Sequence, residues 1–459
     1  MNITQIQSIY FIGAGGIGMS ALIRYFLFNG IPVAGYDRTP SPLIDRLISE
    51  GAAIHYTDNV ELIPEQFRLP DQTVVVYTPA VPESHTELTF FQTNGFEVLK
   101  RSQMLGIITQ SKRGLCIAGT HGKTTTSSMT AHLLKQSHVD CNAFLGGILK
   151  NYDSNLMVSE QSDLTVVEAD EYDRSFHQLI PYMAVITSVD PDHLDIYGTP
   201  EVYRESFETF TSLVRPSGVL IMKYGLNLTP RLQSGVKLFT YSASDEKADF
   251  RARNIRISNG EIVFDFAGPS LMIPNIQLGV PIKINIENGV AAMTLAWLNG
   301  VSPDEIQRAM NTFAGAERRF DFRLKNEHIV FMDDYAHHPE ELKNCILSVK
   351  ELYPRQKVTG IFQPHLYTRT RDFIAEFAQS LSLLDELILL DIYPAREKPI
   401  PGITSQVIFN KVTCPNKTLC TKEQLLEIIA NGTYDVVLTL GAGDIDRLVE
   451  PIKEILEKK

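Results

Sequence analysis

Leu115-Cys116-Ile117-Ala118-Gly119-Thr120-His121-Gly122-Lys123-Thr124-Thr125-Thr126 decides how this chain is read. Four apolar residues signal a buried strand, a turn with two glycines follows, and residues 123–136 carry a helical pattern. The phosphate loop of many nucleotide-hydrolysing enzymes is GxxxxGK[ST]. Ile117 stands here where its first glycine belongs, so the strict pattern fails. The tail survives. Gly122-Lys123-Thr124, between a strand and a helix, offers backbone N–H donors and an ammonium to β- and γ-phosphates, and a hydroxyl to Mg²⁺. A capped helix start would explain Gly-Lys-Thr by itself, but the strand–turn–helix setting makes phosphate binding the stronger reading.

Upstream, Gly13-Ala14-Gly15-Gly16-Ile17-Gly18 matches GxGxxG between a strand at Ser8–Ile12 and a helix over residues 16–29. Gly13, Gly15, Gly16 and Gly18 permit a tight turn and let backbone N–H groups approach a diphosphate at a helix N-terminus. Asp37 closes the next strand, residues 32–36, where a carboxylate can accept ribose hydroxyls. NAD and a UDP-linked ligand would use the same physics, and the motif does not choose between them.

Downstream, residues 164–168 and 184–189 read as buried strands because they are nearly continuous apolar runs. The first ends in Glu168-Ala169-Asp170-Glu171-Tyr172-Asp173 and the second in Asp190-Pro191-Asp192-His193-Leu194-Asp195. A solvated acidic loop is the plain alternative, but four clustered carboxylates repel one another unless neutralised. Hard Mg²⁺ takes oxygen ligands from strand ends beside a phosphate loop, which points to Thr124 and Glu168. His193, at the second strand end with a neighbouring carboxylate to orient it, is the third candidate metal ligand. Residues 251–257 and 261–266 flank Ser258-Asn259-Gly260, the signal of an antiparallel hairpin. A third strand–helix series begins near residue 329. Its strand ends carry Asp333-Asp334-Tyr335-Ala336-His337-His338, then Gln363–Arg371, then Gly441-Ala442-Gly443-Asp444. Arg318, Arg319, Arg369 and Arg371 suit phosphate or carboxylate, against a surface-charge alternative. The glycine turn at 441–443 is, by itself, a plain strand-to-helix turn.

The 459 residues imply roughly three domains, with boundaries expected near 105–114 and 313–320. Apolar residues at 44% and charged residues at 21% exclude wholesale disorder and collagen. The formal charge of −12 disfavours nucleic acid and anionic membrane. Five cysteines with no CxxC pair fit a reducing compartment. The apolar stretch 9–28 lacks a basic leader and is broken by Arg24, so neither a signal peptide nor a membrane span is expected. The reading is a cytoplasmic α/β protein.

In order along the chain, residues 118–126, Glu168–Glu171, Asp192–Asp195, Arg318-Arg319-Phe320, Asp334–Pro339, Gln363–Arg371, Asp391–Glu397 and Gly441–Asp444 resemble the motif series of the Mur ligases. The resemblance spans essentially the whole chain, and the shortened phosphate loop is the family's own. It implies a Rossmann-like UDP-sugar domain (1–108), a central P-loop-type ATPase domain (109–315) and a C-terminal Rossmann-like α/β domain (316–459). The activity implied is ATP-dependent addition of L-alanine to UDP-N-acetylmuramate, through an acyl phosphate, in peptidoglycan precursor synthesis.

By resemblance, Gly119, Thr120, His121, Gly122, Lys123, Thr124, Thr125, Asn285, Asn288, Arg319 and Asp334 serve ATP. Gly13, Gly15, Gly16, Gly18, Asp37, Arg101, Tyr335 and His365 serve the UDP sugar. Lys123, His193, His337 and Arg369 are the catalytic candidates, with Mg²⁺ as the cofactor. Ile284 and Leu366 depart from the family pattern, which usually has His and Arg there. A ligase recycling whole peptides onto the same sugar is the alternative within the family. An NAD(P)-dependent oxidoreductase or a regulatory P-loop protein would leave most of the series unexplained.

Overall fold

The computed structural model describes residues 6–82, 84–258, 261–395 and 397–459, without the side chain of Asp195. The expected Asn259-Gly260 turn and Arg396 lie outside the described residues. By contact density the chain divides into two compact units. One comprises residues 1–254, 264–276 and 286–313, and the other 255–263, 277–285 and 314–459.

The first sheet has five parallel strands in the order Ala53–His55, Val33–Tyr36, Ser8–Ile12, Thr73–Tyr77, Glu97–Lys100. Strand order reverses between Ser8–Ile12 and Thr73–Tyr77, and ligands of open parallel sheets collect at such a switch. The strand Ser8–Ile12 is wholly buried and runs into the glycine turn and helix Ile17–Phe28.

The second sheet has ten strands, and three adjacent ones position the turn 119–122. Arg113–Ala118 lies between Met183–Ile186 and Leu164–Ala169, parallel to both, and the register sets Glu168 beside Ile117. The expected strand over 184–189 stops at Ile186. The Thr187 N–H gives the last ladder bond, to the Ala118 carbonyl, and its hydroxyl turns onto the Ala118 and His121 carbonyls. Phe250–Ser258 and Glu261–Gly268, the two arms of the expected hairpin, are neighbours in this sheet.

The third sheet runs Asp321–Lys325, Val330–Asp334, Val436–Leu440, Val358–Phe362, Glu386–Leu389, Asn416–Leu419, parallel except for the first strand. Its register pairs Asp334 and Phe362 with Leu440, so Asp334, Gln363 and Gly441 emerge side by side. Among the described residues no helix is long and apolar enough to cross a membrane.

Candidate active site

Helix Lys123–Lys135 starts from Gly122 in the left-handed conformation, at φ 82°. A Cβ there would also lie 2.7 Å from Asn288 Oδ1, so both backbone and space require glycine. Gly119, at φ 145°, is pressed against Thr187 and the Ser188 backbone nitrogen. His121 N–H donates to Ser188 Oγ (2.7 Å), and the Thr120 hydroxyl bonds Tyr203 Oη (2.8 Å) and the Asp190 carbonyl (2.7 Å). Loop backbone is thereby fixed ahead of a helix N-terminus, the geometry that receives anions. Thr125 is partly buried within the first turn of the helix. Asn285 and Asn288 are buried on helix Ile284–Leu298, where Asn288 Oδ1 accepts the Thr126 hydroxyl (3.3 Å).

The Lys123 ammonium folds onto Glu171, 2.9 Å from Oε1 and 2.7 Å from Oε2, and donates to the Gly119 carbonyl (2.5 Å). Burial opposes its charge, but the Glu171 and Glu168 carboxylates outweigh that and hold its pKa above the ordinary lysine value. Burial pushes Glu171 up to about 7, against the pull of Lys123. Thr124 Oγ1 donates to Glu168 Oε1 (3.0 Å), and Gly146 N–H donates to Glu168 Oε2 (3.1 Å). This hydroxyl and carboxylate form a hard-oxygen pair of the kind Mg²⁺ takes. His193 makes edge contact with Tyr172, and its backbone N–H bonds Asp192 Oδ1 (2.7 Å). Among the described residues no three His, Cys, Asp or Glu side chains are grouped as a metal cage. Thr124 and Glu168 therefore meet directly.

The same acidic segment reaches the N-terminal glycine turn. Asp170 pairs with Arg101 (3.1 Å), and Asp173 with Lys100 (2.8 Å). A Cβ on Gly18 would collide with the Arg101 guanidinium, so Arg101 lies directly over the first turn of helix Ile17–Phe28. Asp37 Oδ2 accepts the Gly15 N–H (2.7 Å) and Oδ1 the Thr39 N–H (3.0 Å), so this carboxylate shapes the turn itself. Gly13 is at φ 86°, and Gly16 caps the helix. The two neighbouring folds are tied by Asn155, fully buried, which donates to the Ile17 carbonyl and accepts from Arg24 (2.8 Å).

In the second unit, Asp334 accepts the N–H groups of Phe320 (2.7 Å) and Ala336 (2.8 Å). Burial raises its pKa to about 6, against Arg319. Arg318 and Arg319 lie over the Tyr335 ring at 5.1 and 5.3 Å. Arg318 also bonds Asp333 (3.1 Å) and the Gly441 carbonyl (2.5 Å), which makes it a strut for the third glycine turn. His337 Nδ1 lies 2.9 Å from the Tyr335 carbonyl, which only accepts, so Nδ1 carries the proton. Burial lowers the pKa of this ring, and Nε2 presents a lone pair. The His337 and His365 rings meet edge to face at 5.9 Å, His365 stacks on Tyr393, and Arg369 Nη1 lies 3.4 Å from His365 Nδ1. Leu366 sits at φ 70°, ψ 138°, a strained position for a branched residue, between His365 and Arg369. Arg371 pairs with its exposed neighbour Asp372 and is surface charge.

Sequence reasoning missed Gly146, Asn155 and the partnership of Glu171 with Lys123. Gly146 lies in an apolar strand that carries no motif. Glu171 was visible only as one of four clustered acids.

Family patterns match the chain in three consecutive stretches: "Mur ligase family, catalytic domain" at residues 8–113, "Mur ligase middle domain" at 117–296 and "Mur ligase, glutamate ligase domain" at 318–443. A Parabacteroides distasonis protein named UDP-N-acetylmuramate--L-alanine ligase is 70% identical over 459 residues, which is 100% of this chain and 99% of that one. Among solved structures, UDP-N-acetylmuramate-alanine ligase MurC from Thermotoga maritima aligns with TM-score 0.81 at 25% identity, covering 98% of each chain. The murein peptide ligase mpl of Psychrobacter arcticus shares the fold at TM-score 0.69 and 19% identity, over 99% of each chain.

Proposed function

Since the chain belongs to the Mur ligase family, we propose that it joins L-alanine to UDP-N-acetylmuramate at the expense of ATP, in peptidoglycan precursor synthesis. End-to-end identity of 70% with a ligase of that name carries the reading. The substrates are small molecules. The cytoplasm is the proposed location, and five buried free cysteines fit its reducing conditions.

In the proposed reaction the lactyl carboxylate attacks the γ-phosphorus and ADP leaves. The amine of alanine then attacks the acyl-phosphate carbonyl, and the tetrahedral intermediate expels phosphate. A carboxylate must approach a polyphosphate, so catalysis rests on positioning and on neutralising charge. Lys123 and the turn from Gly119 to Thr125 are assigned to the ATP phosphates, with the His121 N–H already given to Ser188. Asn285, Asn288, Arg319 and Asp334 are assigned to ATP by the family resemblance. Thr124 and Glu168 offer the oxygens Mg²⁺ prefers, with His193 as a further ligand, and the ion would supply phosphate neutralisation there. The turn Gly13–Gly18 with Asp37, Arg101, Tyr335 and His365 is assigned to the UDP sugar. Arg369 is a fixed cation for substrate phosphate or carboxylate. His337 stays neutral near pH 7, so its Nε2 accepts a hydrogen bond from substrate.

Phosphate release tests this reading directly. With ATP and UDP-N-acetylmuramate, L-alanine should support release well above glycine, L-serine or the recycled tripeptide. Preference for the tripeptide would move the chain to the recycling branch.

A further inference from the structure

The proposed chemistry gives Lys123 one task, to meet phosphate, yet its donors are committed elsewhere. An ammonium has three N–H bonds. Glu171 faces the ammonium with both oxygens at 2.7–2.9 Å, Gly119 O takes another bond at 2.5 Å, and the Thr120 carbonyl lies at 3.4 Å. Glu171 is not a passing surface partner. Its side chain is 2% exposed, its carbonyl is tied to the Tyr197 hydroxyl at 2.5 Å, and Asp170 fixes the turn by accepting the Tyr172 N–H at 3.0 Å. The carboxylate therefore cannot swing into water, and the ammonium can leave it only by moving itself.

We infer that Glu171 competes with the ATP phosphates for Lys123, acting as a positioning residue that sets nucleotide affinity. The inference rests on the ATP reading above. Two arrangements of one side chain follow, with Lys123 on Glu171 or on phosphate. Leaving Glu171 carries a penalty, because a buried carboxylate loses its counter-ion while a polyanion arrives nearby. That penalty appears as weakened affinity, since apparent binding falls with the fraction of protein whose lysine is free. It also keeps ADP from being held too tightly after turnover.

Glu171→Gln keeps the shape and removes the charge. Calorimetric titration of the full chain with ADP should show binding tightened by about threefold or more. In turnover, KM for ATP should fall while kcat stays level or drops, a split that general structural damage would not produce. Affinity for UDP should not change. Glu171→Asp draws the carboxylate back by one methylene and should give a smaller tightening in the same direction, which decides the matter if the glutamine variant does not fold. Unchanged or weaker ADP binding in the folded variants would overturn the proposal, because Glu171 would then be aiding Lys123. Failure of the parent protein to bind ADP would overturn the ATP reading and this proposal with it.

Discussion

Gly146→Ala isolates the Glu168 carboxylate without touching it. Gly146 lies in strand Asn142–Leu149, and its backbone N–H holds Glu168 Oε2 at 3.1 Å. A methyl built there falls 2.6 Å from the Glu168 carboxyl carbon and Oε1, and closer still to Oε2. Ordinary contact needs roughly 3.4 Å or more, so the carboxylate must retreat by about 1 Å. That retreat breaks the 3.0 Å bond from Thr124 and separates the two oxygens proposed for Mg²⁺. The obstacle is the end of a flexible side chain, so folding should survive. One charge-assisted hydrogen bond is worth about 1.5–3 kcal/mol, partly offset by the lower chain entropy of alanine. A 1 Å misplacement at a reacting centre costs on the order of 10² in rate. Phosphate release over a Mg²⁺ titration, beside a melting curve, gives both numbers. We expect Tm within about 6 °C of the parent, a raised Mg²⁺ requirement and about a hundredfold lower kcat. Parental rate and Mg²⁺ dependence would show that the Glu168–Thr124 pair is not the working arrangement.

Lys123→Ala should abolish ligation, by on the order of 10³ in rate, while leaving UDP-sugar binding intact; turnover within tenfold of the parent would remove Lys123 from the mechanism. Gly18→Ala should displace the Arg101 guanidinium and weaken calorimetric binding of UDP-N-acetylmuramate, with ADP binding unchanged. His132, buried between Tyr152 and Thr312, has its pKa lowered to about 4 by burial. The folded protein therefore favours the neutral ring, and this contribution is present above about pH 6.5 and lost as pH falls through 4. It amounts to roughly 3 kcal/mol, so denaturant unfolding from pH 7 to 4.5 should show a shallower decline in His132→Gln than in the parent.

The strand–turn–helix units were legible because buried parallel strands are written as unbroken apolar runs. Ser8–Ile12 lies where the sequence puts it. The strand ends at Ile186, short of the expected Val189, because the Thr187 and Ser188 side chains bond His121 in the turn, which their residue types do not reveal. The glycine turn between strand Arg113–Ala118 and helix Lys123–Lys135, and the acids after strand Leu164–Ala169, also lie where the sequence puts them. Pairings were not. Lys123 and Glu171 are 48 residues apart, and their meeting depends on the register of Arg113–Ala118 beside Leu164–Ala169. Asp37 was read for ribose from its position, yet both of its oxygens bond loop N–H groups, a local detail no pattern encodes. Gly146 matters only because a carboxylate from an adjacent strand leans across it.

The central claim is that a substrate carboxylate is activated by phosphoryl transfer at this site before alanine attacks. UDP-N-acetylmuramate labelled with ¹⁸O in its lactyl carboxylate tests it most directly, with mass analysis of the phosphate released in the presence of ATP and L-alanine. Acyl-phosphate formation transfers one carboxylate oxygen to phosphorus, so each phosphate released should carry one ¹⁸O and its yield should match the amide formed. Unlabelled phosphate alongside amide formation would contradict the account.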